Sequence, residues 1–310
     1  MKLKILLTGK TGQVGRELDR LLPQLGEVVA LDRQQLDLSR PEELRRVIRE
    51  VHPELIVNAA AYTAVDLAEK EEATVRAINA EAPAVLAAEA MKIGAALVHY
   101  STDYIFDGSK RTPYKEDDPP NPINAYGRTK LAGEQAIRES GVPHLICRTE
   151  WVYAKQGRNF LLTILKLATQ REELRVVSDQ IGAPTSSREI ARATIQILAQ
   201  ILDPGANHRS WPEVSGTYHM TAAGQASWYD FANAILEEAS QANPKSSWPA
   251  AATAARPLIA QRVVPIPTAE YPTPARRPAY SVLSTDRLAK TFGVQLPDWR
   301  TQLHSLFSEA

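Results

Sequence analysis

The chain has 310 residues, 44% of them apolar and 23% charged, with 36 Lys and Arg against 36 Asp and Glu. That length allows one large domain or two modest ones, and the balanced charge gives no general attraction for nucleic acid or an anionic membrane surface. No apolar run approaches the roughly 20 residues needed to span a bilayer, no leader-like segment precedes the first strand, and the single cysteine, Cys147, allows no disulfide framework, so the cytoplasm is the expected location.

Apolar, β-branched runs alternate with helix-like segments through the first half. Leu3–Thr8 reads as a strand and Val14–Leu22 as the helix after it. Val28–Leu31 is a second strand, and Pro41–Val51 a helix with Ser39 as its N-cap. Leu55–Asn58 is a strand, Glu71–Met91 a helix and Ala96–Ser101 a strand. Pro120–Ser140 is a loop running into a helix, and Leu145–Arg148 is a further strand. Strands joined by helices of this length give right-handed crossovers and a parallel sheet. The predicted fold is therefore α/β: a doubly wound parallel (Rossmann) sheet over residues 1–150 and a smaller C-terminal α/β substrate-binding domain over 151–310, with some later segments returning to the first domain. In the second half Phe160–Gln170, Ser187–Ile201 and Ser227–Ala239 read as helices, the last capped by Ser227. Eight prolines between Asn243 and Pro278 predict loop and short extended segments, and Leu283–Thr291 reads as a short helix.

Gly9-Lys10-Thr11-Gly12-Gln13-Val14-Gly15 follows the first strand and opens the first helix. Glycines at this spacing allow a tight turn, close approach of backbone to a pyrophosphate and close helix packing, while the helix N-terminus supplies unpaired N–H groups. Gly9, Gly12, Gln13, Val14 and Gly15 are thus candidates for holding a dinucleotide. Asp32, at the end of the second strand, can hold a ribose 2′-OH and favours NADH. Arg33 beside it suits a 2′-phosphate and favours NADPH. The two point in opposite directions. Asp37, followed by Leu38, either reaches the adenine or serves as a turn or capping acid.

Tyr126 and Lys130 stand four residues apart, which places both on one helix face. A tyrosine with an ordinary pKa near 10 needs tuning to exchange protons near neutrality, and an ammonium one turn away, helped by an oxidised nicotinamide ring, stabilises the phenolate. Ser101-Thr102-Asp103 lies at the C-terminal end of a predicted strand, where ligands sit in open parallel sheets. A hydroxyl there can donate to a carbonyl oxygen alongside the phenol. Cys147, within an apolar run, reads as an inert core thiol.

The glycine loop, Asn58-Ala59-Ala60-Ala61, Ser101-Thr102-Asp103 and Tyr126-x-x-x-Lys130 resemble the extended short-chain dehydrogenase/reductase superfamily. Tyr62-Thr63-Ala64-Val65-Asp66, Ser101–Gly108, Tyr126–Glu134, Arg148–Tyr153, Asp179–Thr185 and Ala275-Arg276-Arg277-Pro278 are similar, more closely, to its dTDP-4-dehydrorhamnose reductase family. The likeness runs from about residue 3 to 290 and departs at Asn243–Ala260 and at Tyr280. It implies Tyr126 as the acid protonating the forming alkoxide at the sugar C4, and Lys130 on the nicotinamide ribose hydroxyls, lowering the tyrosine pKa. It implies Thr102 as donor to the carbonyl oxygen, and Asn58 with Ala59, Ala60 and Ala61 beside the cofactor. Asn79 either orders that region or makes a local hydrogen bond. Thr63, Val65, Asp103 and Trp151, then Asn159 and Arg277, become the candidates for the sugar nucleotide. The cofactor expected is NADPH, with NADH also accepted; the partner is a dTDP-sugar, with a homodimer possible and no metal in the site. Glu17 and Glu189 are read as solvated helix faces, with a divalent ion between subunits as the alternative. The competing functions are another NDP-sugar 4-ketoreductase or epimerase, and a non-catalytic NADP-binding regulatory subunit, against which intact Thr102, Tyr126 and Lys130 argue.

Overall fold

In the computed structural model, which describes residues 2–203, 205, 208–242 and 247–308, the apolar runs of the first half become parallel strands. They are β1 (Lys4–Thr8), β2 (Glu27–Leu31), β3 (Leu55–Asn58), β4 (Ala96–Thr102) and β5 (His144–Thr149). A sixth strand, β6 (Gly216–His219), arrives from far along the chain and pairs with β5, Gly216 opposite Leu145 and His219 opposite Arg148. The order across the sheet is β6-β5-β4-β3-β1-β2, with every pairing parallel. Every residue of β3, β4 and β5 is buried, as a sheet covered on both faces requires.

Side chains alternate across the sheet with the strand period of two. Ile5, Leu7, Leu55, Val57 and Val98 pack on one side, against α1 (Gln13–Leu21) and Ile190, Ile197 and Leu198 of a later helix. Leu6, Ile56, Leu97 and Ile146 pack on the other, under α2 (Pro41–Val51), α3 (Ala82–Ile93) and α4 (Ala125–Glu139). A second core forms around α5 (Phe160–Ala168) and α7 (Trp228–Gln241), covered by the parallel pair Glu173–Val177 and Arg262–Ile266. Between these two helices in sequence, α6 (Ser187–Leu202) lies along α1 and belongs to the sheet's core. Among the described residues, no helix is long and apolar enough to cross a membrane.

Several elements differ from their sequence reading. Ser39 does not cap α2: the cap position is Arg40, Pro41 opens the helix, and the Ser39 backbone and hydroxyl both donate to Asp37 Oδ1 at 3.0 and 2.8 Å. The helical run begins at Glu72 and widens by one residue per turn over Ala77–Glu81. The cause is Pro83, which has no N–H to return to the carbonyl of Asn79. That carbonyl then faces α4, where a Cβ on Gly133 would stand 2.3 Å from it, so the close crossing needs glycine. The proline-rich stretch holds a short helix, Ser247–Ala252, and the paired strand Arg262–Ile266; its residues 243–246, Pro244 included, lie outside the described set. The last short helix spans Asp286–Phe292, ending at Gly293 in the left-handed region.

Candidate active site

The order of strand connection reverses between the parallel strands β1 and β3, β2 lying on one side and β3 to β5 on the other, and a cleft of about 480 Å³ opens at their carboxyl ends. Gly9, Gly12, Gln13, Val14, Asp32, Arg33, Asp37, Leu38, Ala59, Ala60, Ala61 and Thr63 line it together with Tyr126 and Lys130. Gly15 and Asn58 brace it from beneath. A Cβ on Gly15 would fall 2.0 Å from the carbonyl oxygen of Gly9, so the loop can fold against α1 only with glycine there. Asn58 Oδ1 accepts from Thr8 Oγ1 at 2.7 Å and from the Ala60 backbone at 3.3 Å. Asn79 clasps the backbone of Tyr62 with both ends of its amide, at 2.9 and 3.0 Å, and so holds the Ala59–Thr63 segment in place.

Two observations fit the cleft to a dinucleotide. No side chain caps the first turn of α1 at Gly12, which leaves helix N–H groups for an anion. The buried hydroxyl of Thr149, on the cleft wall, has no hydrogen-bond partner and so awaits one. Asp32 Oδ1 accepts from the Gln34 and Gln35 backbones at 2.9 and 3.1 Å, while Arg33 is exposed at the rim. Asp37 holds the Ser39 turn, whose hydrogen bonds keep its carboxyl below the usual range.

Lys130 Nζ is 1% exposed and lies 3.0 Å from His99 Nε2 and 2.6 Å from the carbonyl of Tyr100. Burial brings it down to about 8, against the pull of Glu134. Burial also lifts the Tyr126 phenol well above its ordinary value, drawn back by the Thr102 hydroxyl, so it stands as a neutral donor. The expected lowering by Lys130 is absent here, because the amine is turned to His99 and Tyr100. Thr102 caps the turn after β4: its hydroxyl accepts from the Tyr104 backbone at 3.2 Å and donates to Asp103 Oδ1 at 2.9 Å. Asp103 is 2% exposed, and burial pushes its carboxyl up to about 6. Glu150, unremarked in the sequence, is pushed upward by burial and by the charge of Asp103, although it accepts from the Ala183 and Leu283 backbones and the Ser281 hydroxyl.

The Tyr104 ring meets that of Tyr126 edge-on at 5.6 Å, and a second cavity of about 490 Å³ opens between residue 66, residues 160–180, residue 228 and residues 271–277. Arg277 lines it and grips Asp66 through two bonds of 3.0 and 2.8 Å. Phe160, Trp228 and Tyr271 supply its aromatic surface, and Arg171, Arg175 and Gln180 its polar groups. None of these six was singled out in the sequence. Trp151, with a left-handed φ of 45°, stacks on Trp228 at 3.4 Å between ring centroids, 6° from parallel, and so backs this wall. Asn159 caps α5, accepting from Leu162 at 3.0 Å and donating to Gln13 at 2.8 Å, which ties the second core to the glycine loop. Val65 begins a short helix, Val65–Ala68, half-buried beside both cavities' linings. Cys147 is buried, its thiol pushed up to about 12. Glu17 and Glu189 each pair with an arginine one turn on, Arg20 at 3.5 Å and Arg192 at 2.7 Å.

Residues 2–310 match the family model described as the RmlD substrate binding domain. The chain is 52% identical over 298 residues to the dTDP-4-dehydrorhamnose reductase of Burkholderia thailandensis, covering 96% of each chain. It is 43% identical over 311 residues to that of Escherichia coli K12, covering 99% of this chain and 98% of the other. Among solved structures, the Bacillus anthracis dTDP-4-dehydrorhamnose reductase in complex with NADP superposes with a TM-score of 0.86 at 34% identity, over 99% of both chains. A dinucleotide cleft with a tyrosine and a lysine on its wall thus occurs here in a chain that matches these reductases from end to end, and the protein belongs to the RmlD substrate binding domain family.

Proposed function

We propose that the protein reduces the C4 ketone of dTDP-4-dehydro-β-L-rhamnose to give dTDP-L-rhamnose, using NADPH and also accepting NADH. The observation that carries this reading is Tyr126, a neutral phenol on the wall of the dinucleotide cleft, in a chain 52% identical to a dTDP-4-dehydrorhamnose reductase over nearly its full length. Bound NADPH supplies the hydride. Tyr126 gives its proton to the ketone oxygen as charge develops there, the role of a general acid. Thr102, once its hydroxyl turns from Asp103, donates to the same oxygen, and fixed donors aimed at a forming oxyanion are the strongest catalytic contribution of this kind. Lys130 holds the nicotinamide ribose hydroxyls.

The substrate's sugar lies between Thr63, Val65, Asp103 and Trp151, and its nucleotide extends into the second cavity. Arg277 meets the diphosphate there, and the Phe160–Trp228 surface, with ring centroids 4.6 Å apart, suits a flat base. Residues 151–310 accordingly carry most of the substrate site, and the sheet carries the cofactor. The test is loss of reduced nicotinamide absorbance with a panel of 4-keto-6-deoxy sugar nucleotides. Turnover with the dTDP-sugar is expected; turnover confined to UDP- or GDP-sugars would overturn the substrate, and none with any sugar would overturn the activity.

A further inference from the structure

Beneath the cleft a row of buried side chains imposes its own proton count. Thr8, Asn58, His99 and Lys130 are each 1% exposed. Asn58 Oδ1 faces two donors, the Thr8 hydroxyl and the Ala60 N–H. The amide's Nδ2 is therefore the end that faces His99 Nδ1, at 3.0 Å. Nδ1 must accept, and a neutral imidazole that accepts at Nδ1 carries its proton on Nε2. That Nε2–H points at Lys130 Nζ, 3.0 Å away. An ammonium has three donors and no lone pair, so a charged Lys130 would set N–H against N–H. A neutral amine resolves the row: it accepts from His99 and donates to the Tyr100 carbonyl at 2.6 Å.

We propose that His99 is a positioning residue that holds Lys130 as a neutral amine, and that Lys130 takes up one proton from solvent when it turns onto the nicotinamide ribose. The inference rests on the assignment of Lys130 to that ribose. The surroundings agree. Burial, the larger cause, keeps the His99 ring well below its ordinary value and so neutral. Glu134, one turn along α4, favours the ammonium, but Arg148 and Arg138 engage it at 2.7 and 3.0 Å. From β4 the facing groups are His99 and the Tyr100 carbonyl, the Tyr100 phenol itself being bound to Thr194. From α4 the remaining titratable neighbour is Tyr126, neutral over the same range.

The test is calorimetry of NADPH binding to the whole protein at about pH 9, above the value of about 8 to which burial brings Lys130, in two buffers of different ionisation heat. At that pH the 2′-phosphate is already fully ionised. Wild type is expected to take up close to one proton per site, and His99→Gln, whose amide oxygen accepts from an ammonium, about a third of that or less. Binding without proton uptake in wild type would overturn the proposal; absence of NADPH binding would overturn the functional reading as well. If His99→Gln fails to fold, 15N-histidine spectra of wild type decide. A neutral Nε2–H ring at His99 supports the proposal, and an Nδ1–H or doubly protonated ring refutes it.

Discussion

Replacing Arg33 by alanine separates the two cofactors. Arg33 is exposed at the cleft rim beside Asp32, and in this structure it acts electrostatically on Asp37 and Tyr62. A guanidinium fork on a 2′-phosphate makes charge-assisted hydrogen bonds of about 1.5–3 kcal/mol. Exposure to water places it near the bottom of that range. A loss of about 1.4 kcal/mol is tenfold in kcat/KM, so Arg33→Ala should lower NADPH use about tenfold and leave NADH within about twofold. The partner substitution is better made to Asn than to Ala. Asp32 Oδ1 holds the Gln34 and Gln35 N–H groups, and alanine would release both and loosen the turn after β2. Asp32→Asn keeps that acceptor and removes only the charge that repels a phosphate, so NADPH use should hold or rise while NADH use falls. Initial rates across a range of each cofactor, at saturating sugar nucleotide, give the four values. An equal fall for both cofactors in Arg33→Ala would mean that Arg33 acts on the fold, and the reasoning would be refuted.

Tyr126→Phe should bind NADPH as wild type does yet lose kcat by roughly 10²–10⁴-fold; near-normal turnover would remove the phenol from the mechanism. Gly15→Ala forces a Cβ to within 2.0 Å of the Gly9 carbonyl and should raise the NADPH Kd by about tenfold or more, measured by calorimetry on folded protein, with an unchanged Kd refuting the role of the loop. Glu89, on α3, is held down to about 2, chiefly by the hydrogen bond from Arg49, with Lys92 adding to it. Its carboxylate therefore stabilises the fold above its ordinary value of 4.5, and that contribution is lost as pH falls from there toward 2. Arg49 and Lys92 are 59% and 62% exposed, so water screens both pairs and Glu89→Gln should cost about 1 kcal/mol at neutral pH; a Tm difference from wild type that persists at about pH 2 would contradict this.

The nucleotide half of the molecule was legible because its determinants are local. The apolar runs of β1 to β5 are contiguous, the glycine loop is one stretch of seven residues, and Tyr126 and Lys130 share a helix face. The second cavity was not legible, because residue 66, residues 160–180, residue 228 and residues 271–277 meet only in the folded chain. No periodicity marks Arg171, Arg175 or Trp228 as neighbours. His99 and Glu150 escaped notice for a different reason: each is a polar residue in a strand or at its end, where the pattern speaks of burial and not of partners. The strand Arg262–Ile266 was hidden by Pro265, which is tolerated because this two-stranded pair leaves an edge on which a missing N–H costs nothing. Asp37 was open between adenine and turn, and its hydrogen bonds to Ser39 express the turn.

The late arrival of β6 has a consequence for how the protein is made. Until residue 219 has left the ribosome, β5 ends the sheet with a bare row of backbone groups, the sort of edge that recruits other chains. Through the same interval the apolar face of α1 lacks α6, so Leu18 and the β1 side chains beneath it stay wetted. The nucleotide-binding unit therefore cannot complete its sheet and cover both faces until some two-thirds of the polypeptide has been synthesised. A nascent chain stalled near residue 150 should engage chaperones, whereas one stalled beyond residue 220, with the tunnel's length added, should already protect its sheet amides from exchange.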